Sequence, residues 1–250
     1  MRANRMHLLV IAPLIVGVLW CAMLGGCASS RVNELSPIYA MLVDSEGFRP
    51  LMDGTSLNGW RRVGGAAEFE ARDGEIIGRT RPNSENTYLC SLESFTDFEL
   101  RLEFMVDPGL NSGVQVRSLV KPGRWMKRVA GLQVEIDPTP RAWTGGIYEE
   151  AGRGWLLRPD AVPLEDRTLR QGEWNELRIE AIGPRVRTWL NGKPIADYAG
   201  EVSASGFVAD GFVALQVHGV GPAKEPMTVR WRDIRVREVT RATLLVSGVS

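Results

Sequence analysis

Apolar and polar residues alternate with a period of two along most of the chain. The pattern is clear in residues 98–104, 177–180 and 229–236, whereas no long stretch shows the period of an amphipathic helix. A period of two is typical of strands that bury one face, and tight-turn sequences such as Asn191-Gly192 separate the apolar runs. Many short strands joined by tight turns predict an all-β fold, a two-sheet antiparallel jelly-roll sandwich.

The polar faces of three predicted strands differ from an ordinary solvent-exposed face. In GLQVEID, residues 131–137, apolar positions alternate with an amide and two carboxylates, and NSGVQVRS and ALQVHG have a similar composition. Amides, arginine and histidine offer paired donors and acceptors for sugar hydroxyls, and the concave sheet of a jelly roll is a natural place for them. We therefore predict one shared carbohydrate site. Its candidate residues on these strands are Gln115, Arg117, Gln133, Glu135, Asp137, Gln216 and His218.

The polar side chains within residues 98–104 have a simpler interpretation than a carbohydrate site. Glu99, Arg101 and Glu103 alternate with apolar residues, and oppositely charged neighbours of this kind favour a solvated face with cross-strand ion pairs. Glu103 is nevertheless retained as a weaker substrate-binding candidate.

The seven tryptophans that follow the predicted signal sequence divide into two groups by their sequence context. Trp125, Trp143 and Trp155 fall in predicted loops beside arginines, where an indole face can pack against the C–H face of a pyranose. The alternative is that they close the ends of the sandwich. The others lie in or beside apolar strand patterns and are predicted to be core residues; they are Trp60, Trp174, Trp189 and Trp231.

The amino-terminal residues have the pattern of a lipoprotein signal. Two arginines precede an apolar run that ends in LGGC, which predicts a signal peptide over residues 1–26 and a lipid on Cys27. A transmembrane anchor is the alternative, but the run contains Pro13 and is shorter than the roughly 20 residues that a spanning helix needs. Because Ala28 and not aspartate follows the cysteine, we expect a lipoprotein of the outer membrane that faces the periplasm.

The remaining chain divides into three parts. We interpret residues 27–47 as a lipidated tether, residues 48–239 as one globular domain of ordinary size and residues 240–250 as a tail. Inside the domain, the loop-rich insert between residues 139 and 171 is long enough to be either functional or poorly ordered.

Composition excludes several classes of function. Loss of the signal leaves 28 basic and 30 acidic residues, a formal net charge of −2. The chain therefore has no excess of positive charge that would attract nucleic acid. Cys21 leaves with the signal and Cys27 is lipidated, so Cys90 has no partner for a disulfide. His7 is also lost, and the single remaining histidine, His218, excludes a multi-histidine metal site within one chain.

An ordered set of motifs across residues 48–239 resembles the family of 3-keto-disaccharide (3-keto-glycoside) hydrolases. The resemblance implies a concanavalin A-like jelly roll and a 3-keto-glycoside substrate. Many members have the order Gly-x-Glu-x-Gln on the strand that begins at Gly131, whereas this chain has Gln133 before Glu135. The motifs are LMDGTSLNGW, DGEIIG, DFELRLEF, NSGVQVR, GLQVEID, TGGIYEE, GEWNELRIE, LNGKPIADY, GFVALQVHG and VRWRDIRVREV.

The resemblance implies cleavage of the glycosidic bond by removal of the C2 proton of the 3-keto sugar and elimination of the oxygen at C1. This reaction needs a base near C2, an oxyanion stabiliser near O3 and a proton source near O1. We assign Glu135 as the base, His218 or Asp137 as the acid, and Arg117 with Gln115 or Gln133 at the enolate oxygen. No cofactor is required, although a divalent cation in place of the arginine is an alternative. Two competing hypotheses are a non-catalytic carbohydrate-binding lipoprotein and a structural module of an envelope complex. Further substrate-binding candidates are Asn111, Gln216, Tyr148, Glu103, Trp143 and Trp155.

Overall fold

The computed structural model describes residues 43–123, 126–200, 210–222 and 224–239. The predicted signal peptide, Cys27, most of the tether, Trp125 and the tail lie outside these residues. Within the described ranges, no helix has the length and apolar character needed to cross a bilayer.

The described strands form two antiparallel sheets. The elements are β1 (Arg49–Pro50), β2 (Trp60–Gly64), β3 (Glu68–Arg72), β4 (Glu75–Arg79), β5 (Thr87–Phe95), β6 (Phe98–Val106), β7 (Ser112–Lys121), β8 (Arg128–Ile136), β9 (Ile147–Glu150), β10 (Gly154–Leu157), the helix α1 (Leu164–Arg167), β11 (Asn175–Ile182), β12 (Arg185–Leu190), β13 (Lys193–Ala199), β14 (Gly211–Val217) and β15 (Thr228–Glu238). Sheet A has the order β13-β12-β11-β6-β15-β4-β3, with β1 paired to β15, and sheet B has the order β10-β9-β8-β7-β14-β5-β2. This arrangement confirms the predicted sandwich.

The alternating pattern buries one face of each sheet in the space between them. Phe98 and Phe104 of β6 and Val134 of β8 have no exposed surface and belong to one continuous apolar core. Burial of this apolar area is the main favourable term in folding. Trp60 and Trp231 are part of the core, as predicted.

Trp174 and Trp189 are not core residues, so that part of the prediction is wrong. Both lie half-buried on the outer face of sheet A. The guanidinium of Arg178 is 4.2 Å from the Trp189 ring centroid, and that of Arg232 is 4.1 Å from the ring centroid of Trp174. Cation–π contact with arginine therefore covers aromatic rings that the sequence pattern suggested were inside.

The same outer face carries the predicted ion pairs, with one of them more deeply buried than expected. Glu99 is only 2% exposed and pairs with Arg101, Arg178 and Arg237. Glu103 pairs with Arg232 at 2.5 Å on this face of sheet A. It does not join the polar residues of sheet B, which corrects its assignment as a substrate-binding residue.

The insert between residues 139 and 171 is largely structured and extends sheet B. It contributes β9 and β10, and β9 pairs with β8 along residues 131–134. The predicted hairpin is also confirmed, since β12 and β13 are joined by Asn191 and Gly192 with φ of +49° and +79°. Two residues of positive φ match the twist of a two-residue hairpin.

Arg117 lies at a β-bulge in β7 that turns its side chain away from the polar face. Val116 pairs with Leu132 but Leu119 with Ala130, so β7 contains one extra residue, and Arg117 has a φ of +45°. The extra residue breaks the alternation on which the sequence prediction relied. The prediction that Arg117 faces the sugar site is therefore wrong.

The Arg117 guanidinium instead ties the two sheets together. It donates to the carbonyl of Thr96 where β5 of sheet B passes to β6 of sheet A, and to the carbonyls of Ala181 and Gly183 at the end of β11. Its Nη2 also donates to Asp97 Oδ1 at 2.8 Å. We refer to this set of contacts as the Arg117 tie.

We expect Arg117→Met to lower the free energy of unfolding by about 3 kcal/mol. The substitution keeps an apolar stem but removes the donor to the three carbonyl groups, and it leaves Asp97 Oδ1 with the Gly183 amide as donor at 2.9 Å. Denaturant titration measures the loss, with Arg185→Met as the control because Arg185 pairs with Asp197 on the exposed edge of sheet A. Equal, small losses in both variants would contradict a stabilising role for the tie.

Candidate functional site

A cavity of about 270 Å³ opens on the outer, polar face of sheet B, and we call it the first cavity. It includes seven residues that the sequence analysis selected, so those strands do share one hollow. The lining residues are Asn86, Asn111, Gln133, Glu135, Arg141, Tyr148, Glu150, Trp155, Gln216 and His218.

Strand register explains why these side chains meet. Directly paired residues of adjacent antiparallel strands point to the same face. Gln133 pairs with Gln115 on one side and Tyr148 on the other, while Glu135 pairs with Gly113. A Cβ atom at Gly113 would lie 2.6 Å from the Gln133 amide carbon, so this glycine leaves the space that the Gln133 side chain occupies beside Glu135.

A chain of hydrogen bonds runs beneath the cavity and ends at the Glu135 carboxylate. Ser118 Oγ donates to Gln115 Oε1 at 2.9 Å, and Gln115 Nε2 donates to Gln133 Oε1 at 2.7 Å. Gln133 Nε2 then donates to Glu135 Oε2 at 3.0 Å, and Asn111 Nδ2 donates to Glu135 Oε1 at 2.5 Å. Because every amide points its donor toward the carboxylate, the chain fixes the position of Glu135.

Glu135 is a buried carboxyl group that titrates near neutrality. Burial raises its pKa to about 7, since the charged form loses hydration, and the Asp137 charge acts in the same direction. Hydrogen bonds from Asn111 and Gln133 and the Arg141 charge oppose the rise. A carboxylate with this pKa is suited to take up a proton at neutral pH.

Asp137 does not face the cavity and instead organises the loop after β8. Its carboxylate accepts hydrogen bonds from Thr139 Oγ1 at 2.7 Å, Arg141 Nε at 2.7 Å and the Trp143 amide at 3.2 Å. Burial acts to raise the pKa of Asp137, but these hydrogen bonds outweigh it and hold the pKa below its ordinary value. An acceptor with so many donors is a poor proton source, which corrects its assignment as an acid.

An aromatic wall closes the side of the cavity formed by β9 and β10. Trp155 packs edge-on against Tyr148 at 5.4 Å and against Trp143 at 4.8 Å between ring centroids. Tyr148 and Trp155 line the cavity, whereas Trp143 lies behind Trp155 and donates its indole N–H to Asp160. The guanidinium of Arg141 lies 4.3 Å from the Trp143 ring centroid, and its Nη2 is 3.8 Å from Glu135 Oε1.

Three further polar residues, Gln216, Glu150 and His218, line the cavity. Gln216 is 1% exposed, and its Nε2 donates to the Tyr88 hydroxyl at 3.1 Å. Burial raises the pKa of Glu150, while interactions with Tyr88, Arg128 and His218 oppose the rise. His218 is exposed at the rim, and its Nδ1 contacts the Gly219 carbonyl at 2.7 Å.

Comparison with models of protein families shows the family to which this chain belongs. Residues 47–237 match the 3-keto-alpha-glucoside-1,2-lyase-like domain. The chain belongs to this family. The match covers nearly all of the described residues, so the cavity on sheet B lies within the family domain.

Individual relatives of this lyase-like domain are distant. The curated 3-keto-disaccharide hydrolase of Bacteroides thetaiotaomicron is 25% identical over an alignment of 175 residues that covers 62% of this chain and 60% of that protein. This chain therefore spans about 60% of the length of that curated relative.

Two solved structures share the fold. A candidate glycosyl hydrolase of Parabacteroides distasonis has a TM-score of 0.55 at 18% identity, covering 83% of this chain and 99% of its own. A Bacillus subtilis protein with a galectin-like fold has a TM-score of 0.51 at 14% identity, covering 80% of this chain and 94% of its own. At these identities the two structures support the fold alone.

Three residues that line the first cavity were not selected from the sequence as site residues. Glu150 follows Tyr148 by two residues and so shares its face of β9, a signal that the period of two contained. Arg141 is one of the arginines beside the loop tryptophans, and Asn86 lies directly before β5 in a segment with no distinctive pattern. Conversely, Gln115 is fully buried beneath Gln133 and positions it without lining the cavity.

The described residues do not include a cluster of side chains suited to bind the divalent cation considered as an alternative. Among the described residues, no group of three His, Cys, Asp or Glu side chains is placed to hold a metal ion. We therefore derive no step through a metal.

We expect the stability of the wild type to fall relative to Glu135→Gln as pH rises. Below pH 4.5, its ordinary pKa, Glu135 is protonated whether folded or unfolded; between 4.5 and about 7 it ionises first in the unfolded chain. Folded wild type therefore loses stability through this interval, on the order of 3 kcal/mol in all, whereas glutamine does not titrate.

The measurement is the difference in unfolding free energy between the two proteins at pH 4 and at pH 8. Any constant difference in hydrogen bonding between glutamate and glutamine cancels, because it is present at both pH values. A difference that stays the same from pH 4 to pH 8 would contradict the raised pKa.

Proposed function

We propose that this protein cleaves the glycosidic bond of 3-keto-α-glucosides by elimination, with Glu135 as the base. Membership of the 3-keto-alpha-glucoside-1,2-lyase-like family supports the substrate class. The observation that carries the proposal is the buried Glu135 carboxylate, with a pKa raised to about 7, in the floor of a sugar-sized polar cavity.

The first step is removal of the C2 proton of the sugar. A carbonyl at C3 makes this proton acidic because the electron pair left behind delocalises into an enolate. Glu135 takes the proton on an oxygen held by Asn111 or Gln133. The electron pair then forms the C1–C2 double bond as the C1–O1 bond breaks, and later addition of water completes a net hydrolysis.

Arg141 replaces Arg117 as the group at the enolate oxygen. Its guanidinium lines the first cavity beside Glu135, and its Nε is fixed by Asp137. A positioned cation stabilises negative charge that develops in the transition state. Arg141 is 43% exposed on its side chain, so it has room to meet a substrate oxygen.

His218 protonates the leaving oxygen in this proposal. Its Nδ1 must carry hydrogen, because its contact at 2.7 Å is a carbonyl oxygen, and this leaves Nε2 for the cavity. In the protonated form of the ring, Nε2 donates the hydrogen that the leaving oxygen needs, and the Glu150 carboxylate lies in the same lining as His218.

Replacement of Glu135 tests the proposal directly. We expect Glu135→Gln to lower kcat on a methyl 3-keto-α-glucoside about a thousandfold, since general bases contribute factors of 100 to 10,000. In the wild type, kcat/KM should rise with pH through about 7, because only the ionised carboxylate accepts the proton. The matched control is Glu103→Gln, on the outer face of sheet A.

The outcomes separate an enzyme from a binding protein. Full turnover by Glu135→Gln would remove Glu135 from the base role. Unchanged substrate with the wild type, together with a saturable binding isotherm, would instead establish the non-catalytic carbohydrate-binding lipoprotein. Neither turnover nor binding would favour the structural module.

We also propose that a lipid on Cys27 anchors the protein in the bacterial envelope, at the outer membrane facing the periplasm. The signal-like sequence that ends in LGGC supports this placement. In a Gram-negative host, Cys27→Ser should move the protein from the detergent fraction of outer membranes to the aqueous fraction. An unchanged distribution would contradict the anchor.

A further inference from the structure

The guanidinium of Arg141, which the proposed mechanism places at the enolate oxygen, is held on two sides. Its Nε donates to Asp137 Oδ2 at 2.7 Å, and its central carbon lies 4.3 Å from the centroid of the Trp143 ring. An arginine carries five N–H donors, and only the Nε–H has an acceptor in the described part of the chain. Nη2 lies 3.8 Å from Glu135 Oε1, beyond hydrogen-bonding distance, so the N–H groups on both Nη atoms remain for a substrate.

The ring of Trp143 is itself fixed in place. Its indole N–H donates to Asp160 Oδ1 at 2.9 Å, and Trp155 packs against it edge-on, with 4.8 Å between the ring centroids and an angle of 75° between the ring planes. The electron-rich face of an indole attracts a guanidinium. A ring that is fixed in this way therefore gives Arg141 one preferred position.

One loop carries both side chains, and its backbone is held by two further residues. Asp137 accepts hydrogen bonds from Arg141 Nε at 2.7 Å and from the Trp143 amide at 3.2 Å. Arg167 in α1 donates to the carbonyl oxygens of Arg141 at 2.7 Å and Ala142 at 3.0 Å. Functional groups are held most accurately when surrounding contacts lock their conformations. The loop itself therefore sets the spacing between Arg141 and Trp143.

We propose that Trp143 is a positioning residue, which holds the Arg141 guanidinium where its Nη atoms meet the enolate oxygen of the substrate. The inference rests on the proposed function, in which Arg141 stabilises the charge on O3. Trp143 lines neither the first cavity nor a second cavity of about 530 Å³ that shares Asn86, Glu150 and His218 with it. It therefore acts through Arg141 and not by stacking on the sugar.

This role separates the effect on kcat from the effect on KM. Negative charge on O3 develops as the C2 proton leaves, so a displaced guanidinium weakens binding of the transition state more than binding of the substrate. We expect Trp143→Leu to lower kcat on methyl 3-keto-α-glucoside about tenfold, with KM changed by less than about twofold. Trp143→Phe keeps an aromatic face for the guanidinium and should recover most of the loss.

Trp189→Leu is the matched control. Trp189 also packs against an arginine, since the guanidinium of Arg178 is 4.2 Å from its ring centroid, but it lies on the outer face of sheet A. The same substitution there should leave kcat and KM unchanged. An unchanged kcat in Trp143→Leu would overturn the proposal. A rise in its KM of about tenfold would do the same, because that is the behaviour of a residue that stacks on the sugar.

A double variant tests whether Trp143 acts only through Arg141. We expect Arg141→Met to lower kcat about a hundredfold, an effect typical of removing one group that stabilises an oxyanion. Adding Trp143→Leu to Arg141→Met should cause no further loss, since the group that Trp143 positions is already gone. A further loss of about tenfold in the double variant would give Trp143 a separate role and overturn the proposal.

A nuclear magnetic resonance measurement separates this inference from the proposed function. The Arg141 Nε–H signal is identified by its absence in Arg141→Met. Trp143→Leu should speed the exchange of this hydrogen with water, because the guanidinium is no longer held against Asp137, whereas Trp189→Leu should not. Faster exchange without any turnover by the wild type would retain the contact and reject the proposed enzyme. Turnover with kcat and exchange unchanged in Trp143→Leu would retain the enzyme and reject the positioning role.

Discussion

The extra residue in β7 is the constraint on which both the stability and the site of this fold depend. It turns Arg117 out of the polar face and into the Arg117 tie, where one guanidinium satisfies carbonyls near the ends of both sheets. The same bulge places Ser118 against Gln115 and against Gly131, whose Cβ position would be 2.3 Å from Ser118 Oγ. A side chain at residue 131 would therefore displace Ser118 from Gln115, the first link of the chain that ends at Glu135.

The amide chain explains how a carboxylate is kept both buried and usable. Desolvation alone would favour the neutral acid, whereas several strong donors would hold it ionised far below neutrality, as happens at Asp137. Glu135 receives one donor on each oxygen and a distant arginine charge, so the opposing effects leave its pKa near 7. Two carboxylates two residues apart thus differ in environment, and one is the proposed base while the other anchors a loop.

The sequence predicted those features that depend on regular alternation and missed those that depend on its interruption. The sandwich, the hairpin at Asn191 and the shared face of Gln133 and Glu135 follow from period two and turn chemistry. Arg117 could not be placed because one inserted residue reverses its side. Asp137 lies just beyond the end of β8, where the alternation no longer applies. Trp189 could not be assigned to a face from the sequence, because a tryptophan within a strand gives the same local pattern whether core residues or arginines cover its ring.

The exchanged order of Gln133 and Glu135 has a geometric consequence for the substrate. Residues two apart on a strand are separated by roughly 6.6 Å. An acid at position 133 would lie between Gln115 and Tyr148, next to the aromatic wall, whereas Glu135 lies in the row of Gly113 and Gln216. In the proposed mechanism, the reacting carbon lies displaced by a similar distance toward Gln216. That displacement brings the bond to be broken closer to His218, which follows Gln216 by two residues and lines the same cavity.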